Sequence, residues 1–241
     1  MKLTVVGCSP AWPNPGGAQS GYLVESGGGR LLLDCGPGVL TRLRSLEGWP
    51  RVDAIAITHF HLDHWGDLVP WVWGLQFGPA HDLPAPRLHL PPGGRETLAR
   101  LGEDLGQRDM FERSFEIVEY ADGEEFEAAG ARVTPHKVLH YEMLSFGFRV
   151  SDNGTTLAYS GDSGPSDALT TIARDADLFV CEATLEGAND EGGTRGHLSV
   201  EEAEDAFRRS GAKRLLITHR PSERPLAKEF EQVYDGFELE L

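Results

Sequence analysis

No apolar run in this chain approaches 18 residues, so nothing in it reads as a membrane-spanning helix. Cysteine is scarce. Cys8, Cys35 and Cys181 form an odd set, which argues against a disulfide framework and for a reducing compartment. The N-terminal "MKLTVVGCSP" is too short and interrupted for a secretory signal. The expected location is the cytoplasm. No Pro/Ser linker, low-complexity tract or charge block divides the chain, so residues 1–241 read as one domain. Basic charge is also short, with 22 Lys and Arg against 38 Asp and Glu and a formal net charge of -16. Such a surface repels phosphate polymers at long range, which makes nucleic acid a poor partner. It does not exclude a small anion, because a local metal charge outweighs a distant field.

Short apolar runs bounded by Gly, Pro, Asp or Asn recur along the chain. "LTVVG", "GYLVES", "RLLLDCG", "VDAIAITH", "RLHL", "FEIVEY", "ARVTPHKV", "SFGFRVS", "TTLAYSGD", "DLFVCEAT" and "RLLITHR" read as strands, several of them covered on both faces. "SVEEAEDAFRRSG" reads as a helix with Ser199 and Glu202 as a capping box and Gly211 as its stop. "PSDALTTIARDAD" and "GRETLARLGEDLG" read as two more, and "WGDLVPWVWGLQF" as a helix broken by Pro70. The class is α/β. Three strands run into metal-type ligands, at Thr58-His59, Asp162 and Thr218-His219. Sites in layered α/β folds gather beyond strand ends.

The densest chemistry is "THFHLDH", with His59, His61, Asp63 and His64 inside six residues. Neither a strand nor a helix turns all four the same way, whereas a loop wrapped around metal does. Two ions explain the set better than one, with His59 and His61 on the first and Asp63 and His64 on the second. Each ion then lacks ligands that must come from downstream. Asp162 can bridge the two, and His140 and His219 can each complete one side. His136 is a local rival of His140. Asp34, ending a strand, either anchors the metal loop or merely caps a turn. Cys8 and Cys35 read as small buried residues, and His81 and His89, among prolines, as solvated. Trp65, Trp71 and Trp73 belong either to the core or to a pocket wall.

These residues resemble the signature of the metallo-β-lactamase superfamily. "LLLDCGPGV", "SFGFRV", "LAYSGDS", "CEAT", "GHLSVEEA" and "LLITH" are most similar to its ribonuclease Z branch of phosphodiesterases. The resemblance implies a four-layer αβ/βα sandwich. It implies His59, His61 and His140 on one metal, Asp63, His64 and His219 on the other, and Asp162 between them. His197 matches a histidine near the scissile phosphate, and Glu182 an acidic residue supporting it. Asp63, His197 and Glu182 are thus the candidate catalytic groups. Two divalent ions are implied, zinc first from the imidazole and carboxylate donors, with manganese or iron as alternatives. Such a pair activates water and polarises phosphoryl oxygens. Relatives are often dimers.

For the substrate, the front "GCSPAWPNPGGAQSGYLVES" resembles small bacterial phosphodiesterases, including an atypical cyclic-nucleotide group. The expected substrate is a small phosphodiester, with 3′,5′-cyclic AMP leading. A tRNA 3′-end endonuclease is the alternative, although no basic tRNA-gripping arm is evident and "RPSERP" only loosely matches that branch's ending. A lactamase- or thioesterase-type hydrolase and a non-enzymatic metal sensor or scaffold are the remaining readings.

Overall fold

The computed structural model describes residues 1–188, 190–227 and 230–241. One sheet contains β1 (Lys2–Gly7), β2 (Gly21–Ser26), β3 (Gly29–Leu33), β4 (Ala54–Ala56), β5 (Arg87–Leu90) and β6 (Glu116–Glu119) in spatial order, with β13 (Glu238–Glu240) outside β1. The second contains β7 (Phe126–Ala128), β8 (Ala131–His140), β9 (Met143–Asp152), β10 (Thr155–Tyr159), β11 (Leu178–Glu182) and β12 (Leu215–Thr218), also in spatial order. Leu31 and Leu33 of β3 face the other sheet. There they share a core with Val133, Phe146, Phe148, Leu178 and Val180. The intervening Leu32 points away, with Ile55 and Leu88, against α1 (Val39–Glu47), α2 (Leu68–Phe77) and α3 (Gly94–Asp104). Ala158, Phe179 and Ile217 do the same against α4 (Asp167–Ile172) and α5 (Val200–Ser210). Alternation along strands that are apolar on both faces therefore builds the four-layer αβ/βα sandwich.

Strand direction decides where the site falls. β3 to β6 are parallel, as are β10 to β12. β8 is antiparallel to β9, and β9 to β10, so β8 runs with β10. The C-terminal ends of β3 and β4 thus share one edge of the first sheet, and those of β8, β10, β11 and β12 one edge of the second.

The α5 capping box forms, with Glu202 N–H donating to Ser199 Oγ and Ser199 N–H to Glu202 Oε2. Pro70 does not break α2. It is the third residue of the helix, where its missing N–H has no intrahelical acceptor to lose. The α4 helix begins after Ser166, whose side chain caps it, so Pro165 lies outside. Helix α1 and strands β7 and β13 escape the sequence reading because three to nine residues show too little periodicity. Trp65 and Trp71 are buried on the helix side of the first sheet, with Trp73 packed partly buried against them. All three cysteines are buried and free. Among the described residues no helix is long and apolar enough to cross a membrane.

His81 is exposed beside Asp82, but His89 is not solvated. It lies on β5 between Leu88 and Leu90, and alternation turns it toward the second sheet. Its ring stacks on Phe126 with centroids 4.4 Å apart, and neither ring nitrogen has a hydrogen-bond partner. Burial first, then the Arg87 charge, push its pKa down to about 4, against roughly 6.5 in an unfolded chain. Protons then bind the unfolded chain better than the fold, so stability drains away as pH falls from about 6.5 to about 4. Urea unfolding at fixed metal concentration should show His89→Phe losing about 2 kcal/mol less than the parent between pH 7 and pH 5. Equal losses in the two proteins would disprove this role.

Candidate metal centre

The sequence "THFHLDH" leaves β4 at its C-terminal end and closes as a single 3-10 turn over Leu62–His64. Asp34, just past β3, pins that loop from beneath. It is fully buried and accepts hydrogen bonds from Thr58 N–H (2.8 Å), Tyr159 Oη (2.8 Å) and His64 Nδ1 (2.7 Å). Gly36 lets the chain pass this closely, since a Cβ there would sit 1.9 Å from the Asp63 carbonyl oxygen.

The distant residues meet this loop. Donor atoms of His59, His61 and His140 lie within 4.8 Å of one another, and so do those of Asp63, His64, Asp162 and His219. His61 Nδ1 is 2.8 Å from His140 Nε2. His219 Nε2 is 3.2 Å from Asp63 Oδ2 and 3.5 Å from Asp162 Oδ2. Asp162 Oδ2 also lies 3.2 Å from His64 Nε2 and 3.9 Å from His59 Nε2, so one carboxylate stands between the two groups. His136 is on the same strand as His140 but outside both.

Four of the five donor imidazoles are oriented from behind. His140 Nδ1 donates to the Gly196 carbonyl (2.7 Å), His59 Nδ1 to Thr58 Oγ1 (3.0 Å) and His219 Nδ1 to Thr184 Oγ1 (2.9 Å). With His64 held by Asp34, four rings present Nε2 lone pairs inward, as metal-ligating histidines do. Of the inward atoms, His59 Nε2, His64 Nε2 and Asp162 Oδ1 are buried without a hydrogen bond. Orphaned polar atoms in one spot are what a missing cation leaves behind. The residues fit a divalent metal centre of imidazole and carboxylate donors.

Charge agrees. Burial lowers the pKa of His59, His61 and His140, keeping them neutral and available as ligands. Burial acts the same way on His64, but Asp162, Asp34 and Asp63 outweigh it and hold its pKa well up. Burial pushes Asp63 and Asp162 up, and the surrounding histidines more than reverse that. The pocket demands positive charge, as a proton or as a metal.

A family model described as "Beta-lactamase superfamily domain" matches residues 29–220. The chain belongs to that superfamily. It is 30% identical over 243 residues to the probable metallo-hydrolase YhfI of Bacillus subtilis, covering 98% of this chain and 95% of that one. The crystal structure of YhfI superposes with a TM-score of 0.84 at 25% identity, covering 99% of each chain. A ribonuclease Z of Mycobacterium bovis is 29% identical over 241 residues, covering 91% and 85%. A diphosphatase of the PhnP family shares the fold, with a TM-score of 0.79 at 22% identity over 100% of this chain and 97% of that one.

Beside these donors lies a second network. His197 Nδ1 donates to Glu182 Oε1 (2.9 Å), which also accepts from Ser163 N–H (3.0 Å). Burial pulls the His197 pKa down, but Glu182 and then Asp162 and Glu191 raise it to about 9. Thr184 was not singled out by the sequence, yet its hydroxyl accepts from His219 and donates to Glu182 Oε2 (3.0 Å). It joins a metal-type ligand to the His197–Glu182 pair. The signal was only its place two residues after Glu182 in "CEAT".

Metal donors and network open into a cavity of about 780 Å³. Its lining includes Trp12, Leu62, Tyr141, Glu191 and Arg224, also unanticipated, and excludes Trp65, Trp71 and Trp73. Thr184→Val keeps the shape and removes the link. It should weaken metal retention by roughly 10–100-fold, read by competition with a chelating dye. Retention equal to the parent's would show that the hydroxyl does not orient His219.

Proposed function

We propose that this protein is a metal-dependent hydrolase with a dinuclear centre that cleaves a small phosphodiester, a 3′,5′-cyclic nucleotide such as cyclic AMP first among them. The observation that carries the reading is the placement of Asp162 between two adjacent donor groups, with His197 and Glu182 beside them. His59, His61 and His140 would hold one ion, and Asp63, His64 and His219 the other, with Asp162 shared; zinc suits these donors. Bound, the pair would supply Lewis-acid polarisation of the phosphoryl oxygens and a water acidified toward neutral pH.

The chain's own groups do the rest. Asp63, buried in the cavity lining, would orient the attacking water and relay its proton. Glu182 fixes the His197 ring through Nδ1, leaving Nε2–H to bind the phosphate and protonate the leaving oxygen.

Size and charge favour a small substrate. Among the described residues lining the cavity Arg224 is the one Lys or Arg, in company with Asp190 and Glu191. A polyanion finds little to hold. The second reading, tRNA 3′-end cleavage, rests on the ribonuclease Z likeness along most of the chain.

Metal-reconstituted protein should hydrolyse bis(p-nitrophenyl) phosphate and cyclic AMP. Asp162→Ala should lower both rates more than about 100-fold and reduce bound metal measured by mass spectrometry. Cleavage of precursor tRNA with steep salt dependence, and no turnover of small diesters, would favour the second reading instead.

A further inference from the structure

Of the five tryptophans, Trp12 alone is exposed, at 48%. It stands in "SPAWPNPGG" and lines the metal-site cavity with its apolar neighbours Leu62 and Tyr141, exposed by 61% and 39%. Large apolar side chains facing water beside a polar centre mark the place of an apolar or planar ligand group.

The loop carrying Trp12 is built rather than slack. Gln19 Nε2 donates to the carbonyls of Pro10 (3.3 Å) and Ala11 (2.5 Å), the two residues before the indole. Asn14 ties the far side to the segment after His219, donating to the Arg220 carbonyl (3.1 Å) and accepting from Ser222 N–H (2.8 Å). Asp235 accepts from Ala18 N–H (2.7 Å) and Cys8 N–H (3.1 Å), closing the base of the loop. Pro10, Pro13 and Pro15 remove further freedom. A rigid aromatic wall loses little entropy when a ligand stacks on it. Trp12 lies outside residues 29–220, the span of the family model.

We infer that Trp12 forms a stacking subsite for the planar base of the substrate, placing the diester over the metal donors. This rests on the phosphodiesterase reading above and specifies what the diester carries. A Trp face stacks on any nucleobase, so the subsite selects for a base and not for its identity.

The experiment uses the metal-loaded full chain with Trp12→Ala and Trp12→Phe, and two substrates, cyclic AMP and the 3′,5′-cyclic phosphate of base-free ribose. Trp12→Ala should lower the ratio of kcat/KM for cyclic AMP over that for the abasic diester about ten-fold or more, mainly through KM. Trp12→Phe should restore most of it. Adenosine monophosphate should quench tryptophan fluorescence in the parent protein, and Trp12→Phe should remove that quenching. A ratio unmoved by Trp12→Ala, with both substrates weakened alike, overturns the subsite and makes the indole a structural wall. A parent protein that turns over neither diester overturns the phosphodiesterase reading instead. The fluorescence titration then decides the subsite alone: quenching that Trp12→Phe removes upholds it, and quenching unaffected by the substitution, or none, overturns it.

Discussion

Three carboxylates, Asp34, Asp63 and Asp162, are buried at the edges of two facing sheets, and every nearby feature answers to their charge. Like charges about 4 Å apart repel by roughly 4 kcal/mol at an effective dielectric of 20, so they tolerate one another only around cations. Asp34 is the exception that needs no metal. Hydrogen bonds from Thr58, Tyr159 and His64 satisfy it, and its task is to hold the His64 ring still. Asp162 is the opposite case, with Oδ1 buried and unpartnered and Oδ2 among four imidazoles. That imbalance fits the strand ends to a cation rather than to a closed hydrogen-bond network.

Strand ends can crowd together because the backbone turns sharply at each. Asp34 after β3, Tyr141 after β8, Gly161 after β10 and His219 after β12 all adopt positive φ, between 47° and 60°. For three non-glycine residues this conformation is uncommon and strained, and it persists where surrounding contacts over-determine it. Asp34 and His219 carry that strain and also hold or form the centre. At Gly161 a side chain would be driven to within 2.4 Å of the Phe146 carbonyl, so glycine is required beside Asp162. The sheets supply the direction of approach and the left-handed turns supply the last few ångströms.

The outer surface and the cavity divide the work of recognition. Excess acid repels long polyanions from a distance, whereas the cavity concentrates histidines, one arginine and an exposed aromatic wall. The donors belong to the superfamily span, while the wall around Trp12 and Arg224 comes from segments before and after it.

Local pattern carried much of this protein. Apolar runs mark the strands of both sheets, and the four donors of "THFHLDH" announce metal chemistry because their spacing fits no regular element. His140, Asp162 and His219 are remote in sequence; strand-end position and the need for further ligands made them candidates, and the family resemblance divided them between two ions. Parity could not separate His136 from His140, since four residues along a strand returns to the same face; only the end of β8 reaches the centre. His89 looked solvated among prolines and is buried, because β5 lies between β4 and β6 and under Phe126. Thr184 and Trp12 stand inside quoted motifs, "CEAT" and "SPAWPNPGG", but nothing local says what they touch, which depends on the strand ends and loops that meet. The sequence by itself determined the residue chemistry and the alternation that layers the fold. The tertiary structure alone decided which side chains share a cavity, because that depends on strand direction and sheet packing across more than a hundred residues of chain.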